Sequence, residues 1–302
     1  MPNPAGPPAP PHPARLRVGI VGTGRVGAAL GVALARAGHQ ITGVSAVSEA
    51  SRQRAASRLP GVPVRRPPQV LAGADLVLLT VPDDVLPGLV AGLGATATEL
   101  AGRMLVHTSG RHGLAVLDPA VRQGALPLAL HPVMTFTGRP DDTDRLAGIS
   151  FGVTAPDALR LAAEALVIEM GGEPVFIAEA DRPLYHAALA GAANHLITLV
   201  VQAAELLSVA GVAEPARMLS PLLSAALDNA LRLGDAGLTG PVARADAETV
   251  AEHLAALAEV SPEALRAYVT LARLTADRAL AAGMLAPPAA QRLLDVLAGV
   301  PR

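Results

Sequence analysis

The sequence predicts two domains, a doubly wound α/β domain followed by a domain built only from helices. Its 302 residues amount to about two domains at roughly 150 residues each. Short apolar runs alternate with helical patterns as far as Ile177, which is typical of a parallel sheet covered by helices on both faces. From Leu184 onward only helical periodicity remains, so the second domain is expected to contain no sheet.

The strands of the first domain are short apolar runs bounded by glycine, proline or polar residues. The first helix is expected at Val26–Ala37, and another should end at Met170 before the Gly171-Gly172 break. Right-handed crossovers between such strands produce a doubly wound sheet. We expect strands at 16–21, 39–46, 62–66, 75–81, 104–108, 127–131, 148–153 and 174–177.

Glycine and proline breaks divide the second domain into about five helices, the first of which begins near Leu184. Polar residues and a proline at 179–183 precede that helix and mark the domain boundary. The breaks lie at Gly211, 234–240, Ser261-Pro262 and Pro287-Pro288. We therefore expect a disordered proline-rich tail at 1–14, the α/β domain at 15–180 and the helical domain at 181–302.

The composition excludes several kinds of chemistry. Cysteine is absent, which rules out disulfides, thiolate zinc ligands and a thiol nucleophile. Lysine is absent as well, so all 24 basic residues are arginine and no step can use a lysine. Aromatic residues make up only 2% of the chain, which argues against a base-stacking nucleic-acid surface. No histidine pair has acidic partners at ligand spacing, so we expect no metal site.

We expect a cytoplasmic protein without a membrane segment. Residues 1–14 contain neither the basic region nor the apolar core of an export signal. The longest apolar stretch, 187–212, is interrupted by four polar residues that would each be costly in lipid, so we expect it to form a buried helix of a soluble domain. The four residues are Asn194, His195, Gln202 and Glu205.

A glycine-rich turn closes the first expected strand and opens the first helix. It reads Gly22-Thr23-Gly24-Arg25-Val26-Gly27. In such a turn the first glycine makes the bend, the second lets the backbone approach a pyrophosphate, and the third lets helix and strand pack closely. The helix N-terminus adds free N–H groups and a positive dipole end. The sequence therefore predicts a dinucleotide site of the Rossmann type.

The end of the second strand favours NADP(H) over NAD(H). An NAD site usually has an acidic residue there, which holds the ribose hydroxyls. Residues 44–48 contain no acid, whereas Ser45, Ser48 and Arg52 are available to a 2′-phosphate. Nine arginines stand against two acids over residues 1–75, which suits a small anionic ligand, although a solvated basic face would have the same composition.

Four further motifs follow expected strands or lie between expected helices. They are Val81-Pro82-Asp83-Asp84, His107-Thr108-Ser109-Gly110, His131-Pro132-Val133-Met134-Thr135-Phe136 and Leu238–Asp246. Together with the glycine turn, they resemble the Rossmann-like reductases that carry a helical C-terminal domain long left without a named function. The resemblance covers residues 16–300. The wider superfamily includes pyrroline-carboxylate reductase and phosphogluconate dehydrogenase.

The resemblance implies an NADPH-dependent oxidoreductase acting on a small 2-oxo acid. Some members of the family are an alternative type of ketopantoate reductase in pantothenate synthesis, so ketopantoate is the leading substrate. Related dehydrogenases pair through the helical domain, which implies a homodimer. Three alternatives stay open: a prephenate-type dehydrogenase, suggested by His131-Pro132, an imine reductase of the pyrroline-carboxylate type, and a non-catalytic NADP-binding sensor or scaffold. We expect no nucleic-acid or membrane partner.

The carboxyl ends of parallel strands line the crevice in which such sheets bind ligands. We therefore expect Val81, Pro82 and Asp83, which follow the fourth strand, beside the cofactor. Ser109 and Gly110 follow the fifth strand, where a hydroxyl and a free N–H could hold a substrate carboxylate.

The proton donor must differ from that of the related hydroxyacid dehydrogenases. Those enzymes carry a lysine four residues before a helix asparagine, and the corresponding position before Asn194 is Ala190. His131, with an unperturbed pKa of about 6.5, is the best remaining donor near neutrality, either directly or with a water held by Asn194. Ser109 completes the expected catalytic group.

The late motif is expected to reach the substrate, because ketopantoate reductases use a comparable segment for this purpose. Arg244 could hold a carboxylate with two hydrogen bonds, and Thr239 lies in the same turn. Asp246 looks like the N-cap of the next helix. Many relatives have an arginine at the end of the second strand where this chain has Val47, so Arg52 would have to replace it at the 2′-phosphate.

Overall fold

The computed structural model describes residues 15–96 and 100–299. The tail expected at 1–14 lies outside the described residues. The chain divides between Gly191 and Ala192 into two compact units, each with its own core. This division lies one helix later than the boundary expected at residues 180–181, because the helix after the last strand is attached to the sheet by hydrogen bonds from Arg182 and Tyr185.

A seven-stranded sheet forms the centre of the N-terminal unit. Its strands are β1 (Arg17–Val21), β2 (Gln40–Ser45), β3 (Leu76–Leu79), β4 (Met104–His107), β5 (Leu126–Pro132), β6 (Ser150–Thr154) and β7 (Glu173–Phe176). They lie in the order β2-β1-β3-β4-β5-β6-β7. The doubly wound sheet is confirmed, with one exception: β6 runs antiparallel to β5, because their connection contains short 3₁₀ turns and no crossover helix.

The third strand expected at 62–66 is reduced to a single parallel bridge between Val44 and Val64. The amide of Val44 donates to the carbonyl of Pro63 over 3.0 Å, and the amide of Arg65 donates to the carbonyl of Val44 over 2.8 Å. Pro63 has no N–H to donate, so the ladder ends there. The bridge still lies on the outer side of β2, where a Rossmann sheet has its third strand.

Helices and strands build two cores, one on each face of the sheet. In β3, Leu76 and Leu78 pack into one core, whereas Val77 and Leu79 pack into the other, because successive strand side chains point to opposite faces. The helices are α1 (Arg25–Arg36), α2 (Glu49–Arg58), α3 (Pro67–Ala72), α4 (Leu86–Thr96), α5 (Asp118–Val121), α6 (Arg160–Glu169) and α7 (Arg182–Ala190). The first core takes residues of α1, α2 and α6, and the second takes residues of α3, α4 and α5.

The C-terminal unit is helical, as expected. A π-helical turn, Gly191–His195, precedes its helices α8 (Leu196–Val209), α9 (Pro215–Leu233), α10 (Ala247–Val260), α11 (Pro262–Ala281) and α12 (Pro287–Ala298). The expected breaks are confirmed: Gly211 and 234–240 lie between helices, Ser261 caps α11, and the prolines at 262 and 287 begin α11 and α12. Val250, Val269 and Leu293 are among the buried residues of the core formed by the last three helices.

The apolar stretch at 187–212 is not buried within the chain, contrary to expectation. No residue of α8 is buried, and apolar side chains of α8 and α9 such as Ile197 and Leu222 face solvent. In length and hydropathy alone, the 31-residue helical stretch Glu179–Val209 would suffice to cross a membrane, since an 18-residue window within it has a mean hydropathy of 1.4. A long apolar surface therefore stays uncovered in the isolated chain.

Candidate functional site

The loop after β1 is tied to the ends of β2 and β3. The amides of Gly22 and Thr23 donate to the carbonyl of Ser45 over 3.2 and 2.9 Å, and the Thr23 hydroxyl donates to the same oxygen. The Thr80 hydroxyl, just after β3, donates to the carbonyl of Gly22. Gly22 has a φ of +100°, a left-handed conformation that favours glycine. The loop is therefore held in one conformation.

Gly27 and Gly24, the other two glycines of the loop, differ in the space around them. A Cβ on Gly27 would collide with the Gly22 carbonyl and the Thr80 hydroxyl, so close packing requires a glycine there. A Cβ on Gly24 would meet no atom within 4 Å. Helix α1 begins beside this space without a side-chain cap and without an acid in its first turn, so its N–H groups are open to an anion. These features fit the pyrophosphate of a dinucleotide.

The residues expected to hold a 2′-phosphate are partly engaged elsewhere. Ser48 caps α2 and accepts the Ser51 amide over 3.1 Å. Ser45 is buried beneath the glycine loop. Arg52 forms an ion pair with Glu49 at 3.0 Å and donates to the carbonyl of Val47 over 2.6 Å. This pair is exposed and therefore weak, so Arg52 can still exchange Glu49 for a phosphate.

Two further arginines converge next to these residues. An ideal Cβ on Gly138 would lie 3.2 Å from Cγ of Arg25 and 3.6 Å from Nε of Arg54. Arg25 is exposed and makes no ion pair or side-chain hydrogen bond with the described residues. Arg25 is expected in the cofactor loop, whereas its approach to Arg54 comes from the packing of α1 and α2 and is not visible in the sequence.

The segment after β3 follows the glycine loop closely. Val81 lies 3.1 Å from the position of a Cβ on Gly22, and its side chain packs on the second core. Pro82 is exposed and Asp83 is half-buried. A ring nitrogen of His112 contacts the Asp83 carbonyl at 3.1 Å. These residues therefore lie at the edge of the sheet where the sequence analysis placed them.

The loop after β4 uses its polar groups internally. His107 is fully buried, accepts the Ser109 amide on Nδ1 and bonds the Gly113 carbonyl through Nε2. Burial lowers the pKa of His107 to about 4, so this ring is neutral and structural. The Ser109 hydroxyl accepts the His112 amide over 3.0 Å, and its own O–H can still donate to a ligand.

A buried arginine that the sequence analysis missed organises this edge of the sheet. Arg182 opens α7 and is only 1% exposed. Its guanidinium donates to the carbonyls of Ser109 and Ala129 over 3.0 and 3.2 Å, and to that of Gly152 over 2.9 Å. Its Nε donates to the Thr154 hydroxyl over 2.8 Å. One side chain thus connects β5, β6 and the loop after β4 to α7.

His131 lies in a cluster of rings beside Arg182. Its Nδ1 is 2.8 Å from the Tyr185 hydroxyl, and the two rings meet edge to face with centroids 5.6 Å apart. The His186 ring lies edge to face on the other side, with a centroid distance of 6.2 Å. A Cβ on Gly110 would collide with both imidazoles, so this glycine lets them approach. His131 and Gly110 are expected site residues, whereas nothing in the sequence indicates a role for Tyr185.

The expectation that His131 titrates near neutrality is wrong. Burial lowers the pKa of His131 to about 4, and the positive charge of Arg182 acts in the same direction. Asp83 opposes this shift without cancelling it. At pH 7 the imidazole is therefore neutral and carries one proton, so it can donate only as an imidazole and not as an imidazolium.

The remaining site residues expected from the sequence belong to the C-terminal unit. Asn194 lies on the π-helical turn, and its carbonyl accepts the Thr198 hydroxyl over 3.1 Å. The guanidinium of Arg244 donates to the carbonyl of Thr239 in the same turn. Asp246 accepts the Thr249 amide over 3.1 Å, which confirms it as the N-cap of α10.

Comparisons with known proteins agree with the two-part architecture. Residues 5–132 match the model of a Rossmann-like domain, and residues 149–275 match that of a domain of unknown function, DUF2520. A proposed NADP oxidoreductase from Bacteroides fragilis has a TM-score of 0.72 and 22% identity, and the match covers 87% of this chain and 98% of that one. No curated protein matches the chain in sequence.

Two solved reductases also share the fold. An imine reductase from Streptomyces aurantiacus has a TM-score of 0.65 and 20% identity, covering 92% of this chain and 99% of that one. A reductive aminase from Aspergillus terreus, solved with NADPH and ethyl levulinate, has a TM-score of 0.64 and 18% identity, covering 93% and 99%. At these identities the similarity establishes the fold.

Two alanine variants should separate cofactor binding from folding. Gly24→Ala fills space that is empty in the protein, so we expect its melting temperature to stay within a few degrees while dinucleotide affinity falls by roughly tenfold or more. Gly27→Ala forces a methyl group against the Gly22 carbonyl and should destabilise the fold. Calorimetric titration and thermal melting test both. Unchanged affinity in Gly24→Ala would show that the space is not a pyrophosphate site.

The histidine pKa values predict a pH-dependent stability. The pKa of His107 and of His131 is about 4 in the folded chain, against about 6.5 unfolded. Between these values the unfolded chain binds more protons, so the stabilisation is complete above pH 6.5 and is lost as the pH falls toward 4. NMR titration should give a His131 midpoint near pH 4. A midpoint near 6.5 would contradict the buried, neutral ring.

Proposed function

We propose that this chain, a member of the Rossmann-like proteins with a DUF2520 domain, is an NADPH-dependent reductase of a small 2-oxo acid, with ketopantoate as the first substrate to test. One observation carries the proposal. The open glycine loop after β1 and the ring cluster at the end of β5 lie at one edge of the sheet, because β1, β3, β4 and β5 are parallel neighbours. Ligands of doubly wound sheets bind along this edge.

The arginines support NADPH over NADH. Arg25 and Arg54 meet at Gly138, and Arg52 lies on the same helix as Arg54. The second strand ends without an acidic residue that would hold a ribose 2′-hydroxyl. Guanidinium groups bind phosphate with paired hydrogen bonds, so this group of arginines fits a 2′-phosphate.

The residues around the substrate have distinct roles in this proposal. When bound, the reduced nicotinamide supplies a hydride to the substrate carbon. His131 gives the proton from Nε2 as a neutral imidazole, since its pKa of about 4 excludes the charged form at pH 7. Ser109 and Gly110 shape the loop beside it. From the C-terminal unit, Asn194 is assigned to the substrate or its water, and Thr239 and Arg244 to the carboxylate.

A second candidate is reduction of an imine. Two solved structures that share the fold are an imine reductase and a reductive aminase. An iminium nitrogen leaves no negative charge after hydride arrival, so it needs no proton in that step. The two candidates therefore differ in their demand on His131, and substrates of both classes must be compared.

The function is tested by single-turnover oxidation of NADPH with 2-oxo acids, ketopantoate among them, and with cyclic imines. We expect turnover with a 2-oxo acid and tighter binding of NADPH than of NADH. Arg25→Ala should lower the affinity for NADPH about tenfold or more and leave NADH unaffected, because only the phosphate loses a partner. Arg217→Ala, an exposed arginine of the C-terminal unit, is the control.

Equal affinities for the two cofactors in the wild type would contradict the NADPH assignment. Turnover of imines alone would favour the second candidate. NADPH binding without turnover of any compound would favour the non-catalytic sensor or scaffold.

We also propose a homodimer that covers the apolar side chains of α8 and α9. Light scattering at micromolar concentration should give twice the chain mass of 30.5 kDa. Leu231→Glu, on α9 and 79% exposed, should shift the protein toward the monomer. Leu161→Glu, 80% exposed in the N-terminal unit, should not. A wild type that scatters only as 30.5 kDa would refute the dimer.

A further inference from the structure

We propose that Tyr185 is a second catalytic residue of this site, which passes a proton to Nδ1 of His131 while Nε2 of His131 protonates the substrate oxygen. The inference rests on the proposed carbonyl reductase and adds how a protein without lysine supplies the proton. It follows from the contacts of the His131 ring.

The Tyr185 hydroxyl is seated at a defined position on the sheet. It lies over Gly152 of β6, where any Cβ would collide with it, and Gly152 is the residue paired with His131 across β5 and β6. The hydroxyl is 2.8 Å from Nδ1, and the two ring planes are nearly perpendicular at 87°. The pairing of β5 with β6 therefore sets the distance between the Tyr185 hydroxyl and Nδ1 of His131.

The contacts also indicate which atoms carry the protons. Burial raises the pKa of Tyr185, so its hydroxyl is protonated at neutral pH. A protonated hydroxyl can donate, and in the relay it donates to Nδ1, the ring nitrogen within reach. The single proton of the neutral imidazole then lies on Nε2.

Nε2 of His131 lies beside Gly110, which has no side chain to cover it: a Cβ there would be 2.9 Å from this nitrogen. It makes no hydrogen bond with the described residues, and none of their buried side-chain nitrogen or oxygen atoms lacks a partner. An unpartnered Nε2 in this half-buried ring must therefore be reached by solvent. The ring thus connects an internal donor, Tyr185, with an outer position that a substrate oxygen can occupy.

The proton transfers balance without a charged imidazole. The reduced nicotinamide dinucleotide is the reductant, and its hydride brings the electron pair that becomes the new C–H bond. The carbonyl π electrons move to oxygen, which bonds the Nε2 proton as that N–H bond breaks. Nδ1 bonds the Tyr185 proton, so the imidazole changes tautomer and a phenolate remains. A solvent proton then enters at Nε2 while Nδ1 returns its proton to the phenolate.

The charges around the pair favour this route. The Arg182 guanidinium lies 5.8 Å from the centre of the Tyr185 ring, where it stabilises a phenolate and disfavours an imidazolium. His186 also disfavours the imidazolium, whereas the Asp83 carboxylate favours it. A relay that keeps His131 neutral therefore meets less electrostatic opposition than a donor that must first be charged.

The chain contains a matched control for the decisive variant. Its only other tyrosine, Tyr268, contacts Nδ1 of His253 at 2.9 Å, and those rings also meet edge to face, at 89°. This second pair belongs to the C-terminal unit; its hydrogen bond is exposed, and the Tyr268 ring packs partly on the core of that unit. Tyr185→Phe and Tyr268→Phe thus remove the same hydroxyl from the same kind of contact.

Both variants are compared with the wild type in the reduction of the best 2-oxo acid. We expect Tyr185→Phe to lose about 100-fold in kcat, the lower range for a positioned acid, with unchanged KM and NADPH affinity. Tyr268→Phe should keep the wild-type kcat. A Tyr185→Phe enzyme with the wild-type kcat would overturn the relay while leaving the reductase intact.

A second measurement does not depend on turnover. In protein with ¹⁵N-labelled histidine at pH 7, the Nε2–H tautomer should dominate at His131, and Tyr185→Phe should shift its Nδ1 resonance. A wild-type His131 protonated on Nδ1 would overturn the relay, whatever the kinetics. If Tyr185→Phe does not fold, the tautomer of His131 in the wild type tests the relay by itself. A wild type that reduces no compound of the panel would overturn the proposed function, and the relay with it.

Discussion

The buried guanidinium of Arg182 is the contact on which this edge of the N-terminal unit depends. A buried charge costs several kcal/mol unless it is hydrogen-bonded, and Arg182 uses four of its five N–H groups, on three carbonyls and one hydroxyl. Those acceptors lie on β5, on β6 and in the loop after β4. Removing the side chain would leave their carbonyl groups without this donor. The positions of the loop after β4 and of His131 therefore both follow from one residue.

The same cation determines the chemistry available next to it. Burial lowers the pKa of both His107 and His131, and the charge of Arg182 adds to this effect. The consequences differ, because His107 has both nitrogens engaged in its own loop whereas His131 keeps Nε2 open. Two histidines with similar pKa values therefore serve different purposes, one holding a turn and the other presenting a proton.

The glycine loop shows a comparable division between packing and binding. Gly22 and Gly27 are required by the backbone conformation and by the Thr80 hydroxyl, whereas Gly24 leaves free space in front of α1. A sequence pattern cannot separate these roles, since all three are the same residue. The distance from each glycine to its neighbours does separate them, and it shows which one leaves room for a ligand.

The sequence by itself determined the α/β domain, the glycine loop and the ends of the late helices. Apolar runs, glycines and prolines act locally through burial and backbone conformation. The sequence pattern predicted a full strand at 62–66, but Pro63 cannot extend the ladder and only one bridge forms. It also predicted burial for the apolar residues of α8, none of which is buried. Both errors concern which other part of the protein a segment packs against. The local sequence pattern does not carry that information.

Only the tertiary structure decided the functional environment of His131. From the sequence its pKa was taken as the unperturbed value, because nothing nearby in the chain indicates burial or a charge. Arg182 and Tyr185 lie more than fifty positions away, and α7 brings them to the end of β5. Electrostatic shifts and hydrogen bonds depend on distances in space of a few ångströms, so they become visible only once the strands and α7 are packed together.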